Sequence, residues 1–171
     1  MTQTRHCCTN QRPYEANHIS IEPVGAWSVL TAALLMAVAA PAAGNSCTVS
    51  ATSLALGSYA PGTGAVASTA TVTITCNAGT LFAVGASGGN SGNENQRLLT
   101  SGANSLQYNL YTSASYATIW GDGSGTTAVF SGTATASPSV FHYFGLLPDN
   151  AFNQGAVAGS YSDSILVVVS F

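Results

Sequence analysis

The fold is decided by the C-terminal stretch Val157-Ala158-Gly159-Ser160-Tyr161-Ser162-Asp163-Ser164-Ile165-Leu166-Val167-Val168-Val169-Ser170-Phe171. Five consecutive apolar residues, four of them β-branched, follow a Gly/Ser turn, which predicts a β-strand that begins near Ser160. Ile165, Val167, Val169 and Phe171 share one face of that strand, and this face is predicted to be the buried one because it ends in Phe171. No return strand follows, so the strand needs a neighbour from elsewhere.

Composition indicates an extracellular β protein of one domain. The chain has 171 residues, and only 5% of them are charged, against about 25% in an ordinary soluble domain. The charged residues beyond the first 44 are Glu94, Arg97, Asp122, Asp149 and Asp163. Nucleic-acid binding is excluded on this basis, since phosphate contacts need lysine and arginine.

Residues 1–44 are predicted to be a signal peptide whose assigned start lies upstream of the true one. The apolar run from Ala26 to Ala40 is shorter than the roughly 20 residues of a membrane helix, and small residues follow it at Ala42, Ala43 and Gly44. Cleavage is expected between Ala43 and Asn45. The mature domain is then residues 45–171, with no stable membrane span.

Cysteine usage agrees with export. Loss of the leader removes Cys7 and Cys8 and leaves Cys47 and Cys76, which are predicted to form a disulfide in an oxidising compartment. Closing a loop of about 30 residues would contribute roughly 3–4 kcal/mol. The cysteines do not have the paired spacing of a metal site, so neither a metal nor a cofactor is expected.

The rest of the mature chain alternates between strands and turns. Thr69 to Cys76 alternates strictly, with Ala70, Val72, Ile74 and Cys76 on one face, as expected for a half-buried antiparallel strand. Leu54 and Leu56 share a face of the first strand. Further strands are predicted over residues 81–86, 97–100, 105–112, 116–120, 126–135 and 140–147. Strands of this length and spacing predict an all-β, antiparallel β-sandwich.

Several motifs together resemble the spore coat protein U domain family, which includes the subunits of Csu-type archaic chaperone–usher pili. The resemblance covers Cys47 to Phe171 and is carried by the opening Cys47-Thr-Val-Ser-Ala-Thr, the Thr-rich strand ending in Cys76, Leu106-Gln-Tyr-Asn-Leu-Tyr111, Trp120-Gly-Asp-Gly123 and Ala158-Gly-Ser-Tyr-Ser-Asp163. It implies an immunoglobulin-like sandwich that lacks its last strand. It also implies that a periplasmic chaperone, and then another subunit, supplies the missing strand by donor-strand complementation.

The resemblance also implies partners and a groove. The expected partners are a periplasmic chaperone, an usher and other pilus or coat subunits, at the cell or spore surface. An added strand would bind between two apolar walls. The expected wall residues are Ile165, Val167, Val169 and Phe171 on one side and Val49, Leu54 and Leu56 on the other.

Three functions stay open at this stage. Only residues 43–46 are expected ahead of Cys47, whereas a strand needs about five residues or more, so the chain is expected to accept a strand rather than donate one, as a terminal or tip subunit. A self-folding coat protein is the first alternative. The second is an adhesin module that binds a surface or a carbohydrate through exposed aromatic residues, for which Tyr111 and Tyr116 are the candidates.

Catalysis is not expected. The titratable candidates are His142 and the five charged residues of the mature chain, and no acid–base pair can be named among them. Asp122 in Trp120-Gly-Asp-Gly123 is predicted to stabilise a turn, because a calcium loop would need several oxygen ligands. The Gly-x-Ser-x-Gly pattern of a serine nucleophile is absent from the mature chain.

Overall fold

A computed structural model describes residues 44–171, and the predicted leader lies outside the described residues. These residues form eight strands, and short 3-10 turns occupy Gly89–Ser91 and Asn153–Gly155. The strands are β1 (Cys47–Ala51), β2 (Val66–Cys76), β3 (Leu81–Ala86), β4 (Arg97–Ser101), β5 (Asn104–Tyr111), β6 (Phe130–Thr133), β7 (Ser139–Leu147) and β8 (Val167–Ser170).

The strands form two antiparallel sheets. One has five strands in the order β1-β2-β7-β5-β4, and the other has three in the order β6-β3-β8. The fold is therefore the predicted all-β, immunoglobulin-like sandwich. Within residues 44–171, β1 pairs only with β2 and β8 pairs only with β3, so both are edge strands.

The alternation read from the sequence determines which side chains form the core. Ala70, Val72 and Ile74 of β2 are buried, while the threonines between them lie on the outer face. Tyr143 and Leu147 of β7 and Leu106, Tyr108 and Leu110 of β5 complete this layer, and Phe82 and Val84 of β3 oppose it. Burial of these side chains between the sheets is the main source of stability.

The predicted disulfide between Cys47 and Cys76 is present. The two residues are direct partners in the β1–β2 ladder, so the bond fastens the edge strand β1 to β2. The Cα atoms of β1 and β8 come within 8 Å of one another although no ladder joins them. The edges of the two sheets therefore approach each other here.

Trp120 joins the sheets near the middle of the core. Its main-chain N–H donates to Leu110 O in the five-stranded sheet, and its indole N–H donates to Val84 O in the three-stranded sheet at 3.0 Å. The predicted strand 116–120 is wrong, because this segment makes only isolated bridges.

The last strand is shorter than predicted. Only Val167–Ser170 pair with β3, whereas Ser162 bridges to Thr100 of β4 in the other sheet. The chain crosses from one sheet to the other between these points, so it cannot form one strand from Ser160 onward. The first strand is likewise shorter, since the ladder of β1 ends at Ala51.

Candidate functional site

An elongated groove of about 970 Å³ opens between the two sheets. We call its two sides the first rim, residues 51–61 after β1, and the second rim, residues 156–165 before β8. The floor consists of core side chains and is mainly apolar: Leu99, Leu106, Tyr108, Leu110, Trp120, Tyr143, Leu147 and Val167. A trough with an apolar floor and polar rims, bordered by non-ladder segments, is a shape that an extended peptide fits.

The first rim leaves β2 after Thr52 and then lies over the five-stranded sheet. Thr52 N donates to Thr71 O at 2.9 Å, and no main-chain hydrogen bond within the described chain then involves the groups of residues 53–59. Leu54 and Leu56 are half-buried over Gly145 of β7, where a Cβ atom would lie 2.2 Å from Leu54 Cδ2. The missing side chain at Gly145 therefore lets Leu54 approach the sheet closely.

The second rim is also short of main-chain partners. Ser162 exchanges two hydrogen bonds with Thr100, at 2.8 and 3.0 Å. Between residues 157 and 161 no main-chain N–H donates to another main-chain group of the described chain, and Tyr161 contributes a local bond from its hydroxyl to Val157 O. An incoming strand would find unpaired groups along this rim.

Within residues 44–171 no strand pairs with the outer edge of β8, and the hydrogen-bond pattern shows which groups face outward. Ser87 N donates to Leu166 O, and Leu166 N donates to Ser87 Oγ, so the main-chain groups of Leu166 point toward β3. Because this direction alternates along an antiparallel strand, the N–H and C=O groups of Val167 and Val169 point away from β3. They are available to a further strand.

One carboxylate fixes the first rim to the body of the domain. Asp149, just after β7, accepts hydrogen bonds from the Tyr59 hydroxyl at 2.7 Å and from Gly62 N and Gly64 N at 3.1 and 3.0 Å. These bonds lower the pKa of the Asp149 carboxyl, the Tyr59 hydroxyl contributing most. Removal of the phenol from water and its bond to Asp149 raise the pKa of Tyr59 to about 12.

A second carboxylate fixes the second rim. Asp163 accepts hydrogen bonds from the Tyr108 hydroxyl of β5, from Asn90 N and from its neighbour Ser164 N, each at 2.7 Å. Burial, and then the bond to Asp163, raise the pKa of the Tyr108 phenol. Gly89 lies directly against the carboxylate, where a Cβ atom would come within 2.2 Å of Asp163 Oδ2.

Arg97 lies behind the floor and is fully buried. Its guanidinium donates to the carbonyls of Ser87, Glu94, Ala86 and Trp120 and, at 2.7 Å, to Asn109 Oδ1. Burial lowers the pKa of this group. Every hydrogen-bond acceptor of Arg97 is neutral, and these bonds connect segments of both sheets.

The predicted groove residues separate into two sets. Leu54, Leu56, Ile165 and Val167 line the groove, whereas Val49 is buried in the core and Val169 is half-buried beyond the lined region. The expectation that Phe171 belongs to the buried face is wrong. Phe171 is 47% exposed and lies beyond the end of β8 at Ser170.

The other predicted residues lie outside the groove. Tyr111 and Tyr116 are half-buried and pack edge to face, with ring centroids 5.4 Å apart. Asp122 accepts from Ser124 N at 2.8 Å, as expected for a turn. In the range 44–171, no group of three or more His, Cys, Asp or Glu residues could hold a metal ion. His142 is on the outer face of β7.

Sequence reasoning missed the residues that hold the rims. Tyr59 and Asp149 are 90 residues apart, and Tyr108 and Asp163 are 55 apart. The scarcity of carboxylates was the one available signal, because two of the four in the mature chain occupy these places.

Comparison with known proteins identifies the family. The family described as the Spore Coat Protein U domain matches residues 31–168. The chain belongs to the Spore Coat Protein U domain family. The resemblance read from the motifs of the mature chain is thereby confirmed.

Among solved structures, the Spore Coat U domain described above is similar to a chain of the CsuC–CsuE chaperone–tip adhesion subunit pre-assembly complex from archaic chaperone–usher Csu pili of Acinetobacter baumannii. The TM-score is 0.55 at 22% sequence identity, over 74% of this chain and 40% of that chain. This chain thus spans less than half the length of its structural neighbour, and the similarity supports the fold. No curated protein matches, and no helix among residues 44–171 has the length and hydropathy to cross a membrane.

Proposed function

We propose that this Spore Coat U domain is an exported structural subunit that accepts a β-strand from another polypeptide in its groove. The observation that carries the proposal is the outer edge of β8, which no strand of residues 44–171 pairs with, beside a trough with an apolar floor. An incoming strand would gain main-chain hydrogen bonds from Val167 and Val169 and would place alternate side chains on the floor. This is the physical basis of donor-strand complementation, and no catalytic step is part of it.

Strand capture can be tested with a synthetic peptide. We expect the exported full chain to melt several degrees higher in the presence of a peptide of about ten residues that alternates valine and threonine. A peptide of the same length with proline at every second position is the matched control, because it lacks the N–H groups on one edge of the strand. A melting temperature that the alternating peptide leaves unchanged would argue against the proposal.

A variant of the open edge makes the test specific. Val169→Pro removes one N–H that faces outward and leaves the β3–β8 ladder bonds intact. We expect this variant to keep most of its own stability and to lose the peptide-induced increase in melting temperature. Val168→Pro is the contrasting variant, since it removes a bond to β3 and is expected to destabilise the domain without any peptide.

At the level of the assembly, we propose a chaperone–usher pilus at the cell surface, with a periplasmic chaperone as the first strand donor. Family membership supports this assignment, as does the origin of the structural neighbour in a chaperone–subunit complex of Csu pili. If export leaves only residues 43–46 ahead of Cys47, the subunit has no strand to donate, which favours a terminal position. Sequencing the N-terminus of the exported chain tests that premise.

Immunoelectron microscopy with an antibody against the domain discriminates the candidate assemblies. Gold particles at filament ends would support the terminal position. Labelling along the filaments would contradict the terminal position and retain the pilus, whereas an even surface label without filaments would favour a coat protein.

A further inference from the structure

We propose that two tyrosine–aspartate pairs, Tyr59–Asp149 and Tyr108–Asp163, position the rims of the groove for strand capture. The inference rests on the proposed function and adds the residues that control it. Both pairs join an O–H donor to a carboxylate at 2.7 Å. In each pair one partner belongs to a rim and the other to the body of the domain.

On the first rim, the Tyr59–Asp149 bond fixes a segment that has no ladder. Residues 53–59 make no main-chain hydrogen bonds within the described chain. Leu54 and Leu56 hold the segment by apolar contact over Gly145, which is non-directional. Tyr59 supplies the directional contact, and Gly62 and Gly64 donate to the same carboxylate.

On the second rim the roles are reversed, because the aspartate belongs to the rim and the tyrosine to β5. Asp163 follows the bridge at Ser162 and precedes Ile165, which lines the groove. The Tyr108 hydroxyl and Asn90 N bind its two oxygens. The rim is therefore fixed at the point where the chain crosses from one sheet to the other.

Fixing the rims matters mainly while the groove is empty. A strand that binds loose rims must order them, and each residue so ordered costs conformational entropy. Once the strand is in place, its ladder bonds hold the rims, and the tyrosine–aspartate bonds become partly redundant. Loss of a pair should therefore slow capture much more than it accelerates release.

The test compares binding kinetics of hydroxyl-deletion variants. The full chain and its Tyr59→Phe and Tyr108→Phe variants are mixed with the alternating valine–threonine peptide, and association and dissociation rates are measured. We expect association to be roughly tenfold slower in each variant, as for loss of a hydrogen bond to a charged group, with dissociation nearly unchanged. Tyr116→Phe, outside the groove, is the matched control and should bind like the unaltered chain.

Conservative variants and amide exchange separate positioning from a general loss of stability. Asp149→Asn keeps an oxygen acceptor for the Tyr59 hydroxyl. We expect it to slow association less than Tyr59→Phe does. In the empty chain, Tyr59→Phe should accelerate hydrogen exchange in the first rim but leave the β2 and β7 amides protected. Equal acceleration throughout the domain would overturn the positioning role.

The outcomes distinguish the two proposals. If the unaltered chain captures the peptide and both Tyr→Phe variants associate at the same rate, the positioning role is overturned and strand capture stands. If the unaltered chain captures no peptide, the proposed function fails and the positioning role fails with it. Slow association with normal dissociation, confined to the two variants, supports both.

Discussion

At the scale of single residues, Arg97 is the main polar element of the interior. It is the one arginine or lysine among residues 44–171, and its five donated bonds connect the end of β3, the Trp120 segment and Asn109 of β5. A buried cation without a carboxylate partner is tolerated only when hydrogen bonds compensate its desolvation. Arg97 is one of the titratable candidates in the sequence, but its complete burial indicates a structural role.

Replacing Arg97 should be costly. Arg97→Met keeps much of the side-chain volume and leaves buried carbonyls and Asn109 Oδ1 without donors, so we expect the free energy of unfolding to fall by about 3–5 kcal/mol. Urea denaturation measures the change. Gln96→Ala, an exposed neighbour, serves as the control and should be near neutral. A loss below about 1 kcal/mol for Arg97→Met would mean that the hydrogen bonds contribute little net stability.

Asp149 should make the domain sensitive to acid. Because its folded-state pKa lies below the ordinary 3.8, its stabilising contribution is present above pH 3.8 and is lost as the pH falls through the folded-state value. Asp149→Asn should therefore melt lower than the unaltered chain at neutral pH, with the difference shrinking well below pH 3.8. Thermal melts across this range test the effect, and a difference that stays constant with pH would contradict it.

At the scale of elements, the disulfide holds an edge strand that has a single ladder. β1 contains five residues, and Cys47 and Cys76 are direct partners at its outer end. Because the bond closes a long loop, it restricts the unfolded chain as well as fastening β1. The cysteine pattern was sufficient to predict this link, since two cysteines remain after the predicted cleavage.

Removing the disulfide should therefore lower stability and loosen β1. For the double variant Cys47→Ser, Cys76→Ser we expect the free energy of unfolding to fall by about 2–4 kcal/mol. Urea unfolding gives the magnitude, and hydrogen exchange should show lost protection first in β1. Thr75→Ala, on the outer face beside Cys76, is the control. Unchanged protection of β1 would show that its ladder to β2 is sufficient.

Local patterns predicted β2, β3, β5 and β7 well because their alternation reflects burial on one face. The same reasoning failed for residues 160–166, whose composition resembles a strand but whose path crosses between the sheets. It also missed the rims, because contacts such as Tyr59–Asp149 leave no periodic signal in the chain. The family resemblance, and no local pattern, led to the expectation of a groove.

At the scale of the whole molecule, a β8 edge that no strand of residues 44–171 covers is combined with little charge. The full chain has a formal net charge of −3, and β8 carries none of the lysines or prolines that usually protect an edge strand. Val168 is 43% exposed on its outer face. Few repulsive charges oppose the pairing of two such edges from separate molecules.

The exported chain should consequently self-associate when no strand donor is present. We expect light scattering to rise with protein concentration and to fall when the alternating valine–threonine peptide is added, because the peptide occupies the edge. Val169→Pro should also reduce scattering without peptide. Scattering that neither the peptide nor the variant changes would place the contact elsewhere on the surface.

Because Arg97 is buried, cleavage of the chain by trypsin can report unfolding of the domain. Trypsin cleaves after arginine or lysine, and residues 44–171 offer it this one bond, which the folded domain keeps out of reach. Digestion should divide the domain into two pieces only when the interior opens, so the yield of cut chain counts open molecules without any added label.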